Sequence, residues 1–448
     1  MTFSSDKPKR KNSPNRRRKF LLMIVLPMVA LIVGFMALSP QIDSWLATDP
    51  FTPQCHFEED RLFLTNEPIE LHSINDGLIQ EFPELNNVDE ASWSPDGQYF
   101  VAQNYKFPDE VQGATVISAQ GEEVAQASFW VARRGTEWSS NSLYFAYGAA
   151  DYDQIFDVQA GQDIKLMNFL SDGYDIPTWS PNGRFKAFIG GHNLTIVDLM
   201  NESSVSTSID GVLVGWSTDS QYAYFTGKNR LYQYDIIHDM LTELFYFPYE
   251  IYTPPYPKVR QTVSKMSPNH SKILVSLEDK FTFVIELEPF TVREIHSFQS
   301  PERILWHPDS QHLIIIDGSI GYVSSKPDKV LLYNIEDDTF RQLNLKTSDD
   351  VWVSPTGQYL SYVVGGTNFE AKTRRIYNVH TNEDTLVGEF KYNNWDRWLH
   401  HNGKDYLVIL QAINEDSSHP LIAYIIDPED NSKCKIGWTG YELEFQPE

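Results

Sequence analysis

A tryptophan followed by the turn Ser-Pro-Asp-Gly returns along this chain at a nearly constant interval, and that return restricts the possible folds severely. The clearest copy is Ala91 to Ala102, ASWSPDGQYFVA. Pro95 presets the first corner of a tight turn. Asp96 can hydrogen-bond the local backbone, and Gly97 accepts the positive φ that leads back into a strand. The alternation from Tyr99 to Ala102 is that of a β-strand. The unit therefore reads as a hairpin with Trp93 just before its bend.

Seven further copies follow, anchored at Trp138, Trp179, Trp216, Met266, Trp306, Val353 and Trp398, so the spacings are 45, 41, 37, 50, 40, 47 and 45 residues. Met266 replaces the tryptophan, Val353 stands at its position with Trp352 one residue earlier, and His400-His401 stand where Ser-Pro is expected. After each hairpin comes an apolar strand that ends in an acid or amide, as in Ile196-Val197-Asp198 and Leu332-Tyr333-Asn334. That terminal side chain is expected to cap the next turn. A short outer strand follows, such as Thr242 to Phe245. Four strands per repeat and a period of about 40–45 residues predict propeller blades. The expectation is an all-β fold with one β-propeller of four-stranded blades, eight in number, with seven as the alternative.

The W-S-P-D/N-G turn followed by a short apolar strand resembles the TolB-like, WD-repeat-like β-propeller family of secreted and periplasmic proteins. The resemblance spans residues of about 90 to 430. It implies the fold and says little of function, because members of that family include partner-binding proteins and appendages of enzymes.

The N-terminal end is of a different character. Residues 1–19 carry eight basic side chains against Asp6, and Phe20 to Leu38 is then 19 residues without a charge. That run is long enough to cross a bilayer, and the basic flank predicts a cytoplasmic N-terminus. The reading is a basic cytoplasmic tail (1–19), a single-pass transmembrane helix (20–38), a linker (39–54) and an extracytoplasmic propeller (55–448). Two alternatives remain. Ala37-Leu38-Ser39 offers small residues for signal cleavage, although Pro40 follows. Arg17-Arg18-Lys19-Phe20-Leu21 resembles a twin-arginine core but lacks the usual preceding Ser or Thr. All three send the propeller out of the cytoplasm.

A propeller must close, since an open ring exposes a sheet edge. Arg61 to Phe82 holds two short apolar runs without a W-S-P unit. The simplest closure pairs these N-terminal strands with the blade built around Trp398. The two cysteines, Cys55 and Cys434, flank the expected ring and read as one disulfide that latches its ends.

Lys and Arg total 36 and Asp and Glu 61; without residues 1–19 the counts are 28 and 60, a net of −32. Such a surface repels nucleic acid and anionic lipid, so no nucleic-acid partner is expected. No nucleophile elbow, zincin motif, P-loop or dinucleotide fingerprint occurs. Membrane-anchored propellers also resemble the N-terminal part of dipeptidyl-peptidase-type hydrolases, but no hydrolase domain is expected here. No cofactor and no metal are implied.

The W-S-P-D-G turns should share one face of the disc, and the longer connections should share the other. Among these, Phe247 to Thr262 holds Tyr249, Tyr252 and Tyr256 with four prolines, and Trp395 lies on a further inter-blade connection. Stiffened aromatic residues on a loop are cheap to order on binding. These four rings are the expected binding residues, with plugging of the central channel as the alternative. The functional expectation is a binding or scaffolding module for a protein or glycan partner at the outer membrane surface. The alternative is an enzyme acting on an extracellular polymer.

Overall fold

The computed structural model describes Cys55 to Pro447, apart from residues 56, 58–59, 66–68, 86–87, 105–111, 130–135, 150–151, 165–168, 171–177, 191–192, 209–210, 228, 248–262, 278–280, 296–303, 318–328, 346–350, 365–371, 391–395, 413–420 and 440–442. The expected tail, membrane helix and linker lie outside the described residues. Among the described residues no helix is long and apolar enough to cross a membrane.

The described strands form nine antiparallel sheets, and the molecule is a nine-bladed β-propeller. Eight blades were expected from eight anchors, and each anchor does open a blade. Blade six shows the plan. Ile304–Trp306, His312–Asp317, Lys329–Asn334 and Thr339–Leu343 pair in chain order. Blade two, around Trp138, has two short segments, Gln162–Asp163 and Phe169–Leu170, on its third strand.

The ninth blade is assembled from both ends of the propeller. Leu62–Thr65, Glu70–Ser73 and Gly77–Glu81 supply three strands, and Leu443–Phe445 supplies the fourth. The N-terminal strands therefore do not join the blade of Trp398, which is complete in itself from Asp396 to Thr439. Phe445 takes the anchor position: it pairs with Phe63 as Trp93 pairs with Phe100. The backbone N–H of Gln446 donates to the Leu62 carbonyl at 3.0 Å, as Ser94 N–H donates to Tyr99 at 2.8 Å. The overlooked copy is Phe445-Gln446-Pro447-Glu448, 47 residues after Trp398. Its own second strand lies more than 380 residues earlier in the chain, so the linear repeat hides it.

Each blade is covered by a neighbour on both faces, which explains the nearly continuous apolar second and third strands. Tyr359–Val364 is buried along almost its whole length, whereas the outer strand Ser203–Ser208 is exposed along almost all of it. The core is accordingly a set of seams between adjacent blades. Leu64, Leu71, Trp93 and Phe100 join the closing blade to blade one. Phe63, Ile74, Leu399 and Val408 join it to blade eight. Every other pair of neighbours shares a cluster of the same kind.

The expected disulfide is present: Cys55 and Cys434 are bonded, with S–S 2.11 Å and Cα atoms 5.1 Å apart. The terminal acids and amides of the third strands cap the following turns, as expected. Asp198 accepts from the N–H of Met200 and Asn201, and Asn334 from those of Glu336 and Asp337.

Candidate functional site

The W-S-P turns owe their shape to a buried serine. The Ser94 hydroxyl donates to Asp96 at 2.7 Å and accepts from the Tyr99 N–H at 3.0 Å. Ser139 with Asn141 and Tyr144, and Ser217 with Asp219 and Tyr222, repeat the arrangement. Ser180 and Ser267 do the same with Asn182 and Asn269. These hydroxyls are committed to structure, so an array of serines on this face is no array of nucleophiles.

Each turn also bonds the next. Asp96 N–H donates to Ser142 Oγ, Ser140 Oγ to the Ser180 carbonyl, and Asn182 N–H to Ser220 Oγ. His270 bonds the Trp216 carbonyl, and Asn269 N–H donates to Ser310 Oγ. His307 Nε2 donates to the Gly357 carbonyl, and Thr356 N–H to Asp405. Arg61 then donates to the His400 carbonyl, and Gln446 Nε2 to that of Gly97. The nine junctions thus carry one unbroken circuit of hydrogen bonds, which places all the turns on one face. Several tryptophans add a second link. The indole N–H of Trp138 donates to the Ser92 carbonyl one blade back, and those of Trp93, Trp179, Trp306 and Trp398 do likewise.

Blade six breaks the uniformity. Where the turns of blades one to four have serine, Asn or Asp, and an aromatic residue, this one has His307, Asp309 and His312. Asp309 Oδ1 lies 3.0 Å from His307 Nδ1, and Oδ2 lies 2.7 Å from His312 Nδ1. The Gln311 and His312 amides donate to Oδ1 as well. Burial pushes the Asp309 carboxyl up. The Gln311 amide, the His312 hydrogen bond and the two imidazoles outweigh it, and the pKa falls below the ordinary carboxylate value. His307 is buried, and the other two are partly open to solvent. One ligand atom from each of the three lies within 4.8 Å of the others, the one such group among the described residues. Sequence reasoning misses it because His-Pro-Asp-Ser-Gln-His reads as one more turn. The available signal is two histidines at repeat positions that in blades one to four hold serine and an aromatic.

His400 and His401 behave differently from expectation. They end the strand Asp396–His401 and do not form the turn. His401 pairs with Lys404 around Asn402-Gly403, both at positive φ, which is the two-residue hairpin that Asn-Gly favours. His400 Nδ1 bonds Asp405, and His401 faces Arg61.

Tyr249, Tyr252, Tyr256 and Trp395, the expected binding residues, lie outside the described residues.

The fold defines the chain as a β-propeller. No family model and no curated protein matches it. A solved structure of the eukaryotic initiation factor is similar, with TM-score 0.61 and 12% identity over 87% of this chain and 99% of that one. Dipeptidyl peptidase 4 from Porphyromonas gingivalis follows at TM-score 0.49 and 12% identity, over 78% of this chain and 59% of that one. The dihydro-heme d1 dehydrogenase NirN gives 0.46 and 14%, over 78% and 77%. At these identities the likeness shows the propeller fold alone.

Proposed function

We propose that this protein is a membrane-anchored, extracytoplasmic propeller of the TolB-like kind, serving as a binding or scaffolding platform for a protein or glycan partner. The disulfide between its only two cysteines carries the reading. Such bonds form and persist outside reducing compartments. The basic-then-apolar order of residues 1–38 supports the same compartment, with the N-terminus inside. Recurrent W-S-P turns support the family. The committed serines and the circuit of turn-to-turn bonds support a rigid platform, whose longer connections are free to vary for recognition. Tyr249, Tyr252, Tyr256 and Trp395 are the recognition residues in this proposal.

A second reading, an enzyme acting on an extracellular polymer, is favoured by one observation, the His307–Asp309–His312 cluster. The two separate in one experiment on the full chain in its native membrane. Protease added outside should reach the propeller while the basic tail stays protected. Cross-linking should capture a partner, and Tyr249→Ala/Trp395→Ala should lose it at unchanged melting temperature, at a cost of order 2 kcal/mol or more in affinity. A propeller on the cytoplasmic side overturns the topology. Undiminished capture by the double variant overturns the recognition residues.

A further inference from the structure

We infer that His307, Asp309 and His312 form a divalent transition-metal site, with zinc the best match, on the turn face of blade six. His307 Nε2 lies 3.1 Å from the Gly357 carbonyl, which can only accept, so the proton of the neutral ring is on Nε2. Its Nδ1 then carries a lone pair, and the Asp309 amide points at it from 3.3 Å. Yet the same Nδ1 faces Asp309 Oδ1 at 3.0 Å. Two acceptors in contact beside a buried ring call for a positive charge between or upon them, either a second ring proton or a metal ion. A metal ion provides it, and the Gly357 bond is the outer partner that orients ligating histidines.

The donor set fits. Two imidazole nitrogens and one carboxylate suit zinc, with a fourth position for water. Asp309 and His312 are partly exposed on the side that water would enter. Zinc bonds of about 2.0–2.2 Å place tetrahedral ligand atoms roughly 3.3–3.6 Å apart, so the 3.0 and 2.7 Å contacts need to open, while one ligand atom from each residue already lies within 4.8 Å of the others. Gly357 permits the arrangement: a Cβ there would stand 2.3 Å from the His307 ring. The repeat supplies the contrast, since the serine turns hold the same backbone shape without any imidazole at these positions. The ligands are thus an addition to a turn that folds without them.

That contrast gives the test. The full chain, purified in detergent and stripped with EDTA, is titrated with zinc chloride and read by calorimetry and melting temperature. One equivalent should bind, with a rise in melting temperature. His307→Ser and His312→Tyr restore residues that the other turns use, so both should fold. Each should weaken binding more than about 100-fold, beyond the 10–100-fold that outer partners carry. In parallel, zinc should protect His312, the partly exposed imidazole of the unaltered chain, from diethyl pyrocarbonate, mapped by mass spectrometry. No zinc-dependent rise, an equal rise in both variants, or protection confined to other histidines would each overturn the proposal, and the protection arm stands even if a variant fails to fold.

Discussion

Severing the Cys55–Cys434 bond should lower the melting temperature by about 7 °C and leave the fold intact. The two residues are 379 positions apart, so the bond ties together almost the whole propeller in the denatured chain. The loop-entropy relation puts the gain from so long a closure at about 6 kcal/mol. Unfolding entropy near the melting point is about 2.1 cal/mol/K per residue, or roughly 0.8 kcal/mol/K for a propeller of roughly 390 residues. The ratio of the two gives about 7 °C. Native closure survives because Leu443–Phe445 still pairs with Leu62–Thr65. Cys55→Ala/Cys434→Ala is preferable to serine, since Cys55 is buried and a hydroxyl would need a new partner there. Calorimetry of this variant, beside the unaltered chain with and without reductant, makes the measurement. A shift below about 2 °C, or thiols open to alkylation in the oxidised native protein, would refute the entropic argument. A shift beyond about 15 °C would refute it too, because the bond would then be holding native structure rather than restricting the denatured chain.

Three further outcomes are expected. Removal of residues 443–448 takes away the anchor strand of the ninth blade, the Gln446 carbonyl bonded by Arg61 Nε and the carbonyl bonded by Trp93, and should leave a chain without a cooperative melting transition; a cooperative melt within a few degrees of the full chain would contradict the described closure. Burial pushes the Asp198 carboxyl up, but Arg184, bonded to it twice, and Asn201 outweigh it and leave its pKa below the ordinary 3.8. That pair stabilises above the ordinary carboxylate value and loses its effect as pH falls through the folded one. Asp198→Asn should therefore lower the melting temperature near neutral pH and make no difference near pH 2, and a difference persisting in acid would refute the pairing. Burial, and for Tyr333 a bond to Asp338, push Tyr224 and Tyr333 up to about 12. Their neutral forms stabilise below pH 10, and that contribution fades as pH rises toward 12, so Tyr224→Phe/Tyr333→Phe should remove two of the late-titrating groups from the tyrosinate absorbance; loss of ordinary groups instead would count against it.

The eight anchors and the strand capping were legible because each follows from a local rule: proline at a corner, a carboxylate over an amide, a strand that repeats. The count of nine was not. Phe445 and Phe63 become one anchor pair only after the ring has formed, and no local pattern joins segments so far apart. The cysteines were legible for the opposite reason: with only two in the chain, ring closure leaves a single pairing. The blade-six cluster is an intermediate case. Its three residues are close in sequence, but their meaning depends on Gly357, one blade further on, which fixes the His307 tautomer.

The closing seam is built differently from the rest, and the difference bears on how the ring withstands opening. Other neighbours meet through side-chain packing, turn-to-turn bonds and, in several cases, an indole N–H. None of these is a strand ladder, so each seam could part without unzipping a sheet. At the junction of chain ends, a seam of that ordinary kind would be weakest, since no peptide bond crosses it. The shared blade removes that weakness by moving the break into the middle of a sheet, where Phe63, Leu64 and Thr65 pair with Phe445, Glu444 and Leu443. Blade eight is then tied to the closing blade in three ways. The chain itself continues from Lys433–Thr439 into Leu443–Phe445. Arg61 bridges the Gln446 and His400 carbonyls, and the disulfide joins Cys434 on the outer strand to Cys55. The ladder and the covalent bond act on different strands of the closure, so parting the two ends completely requires both to yield.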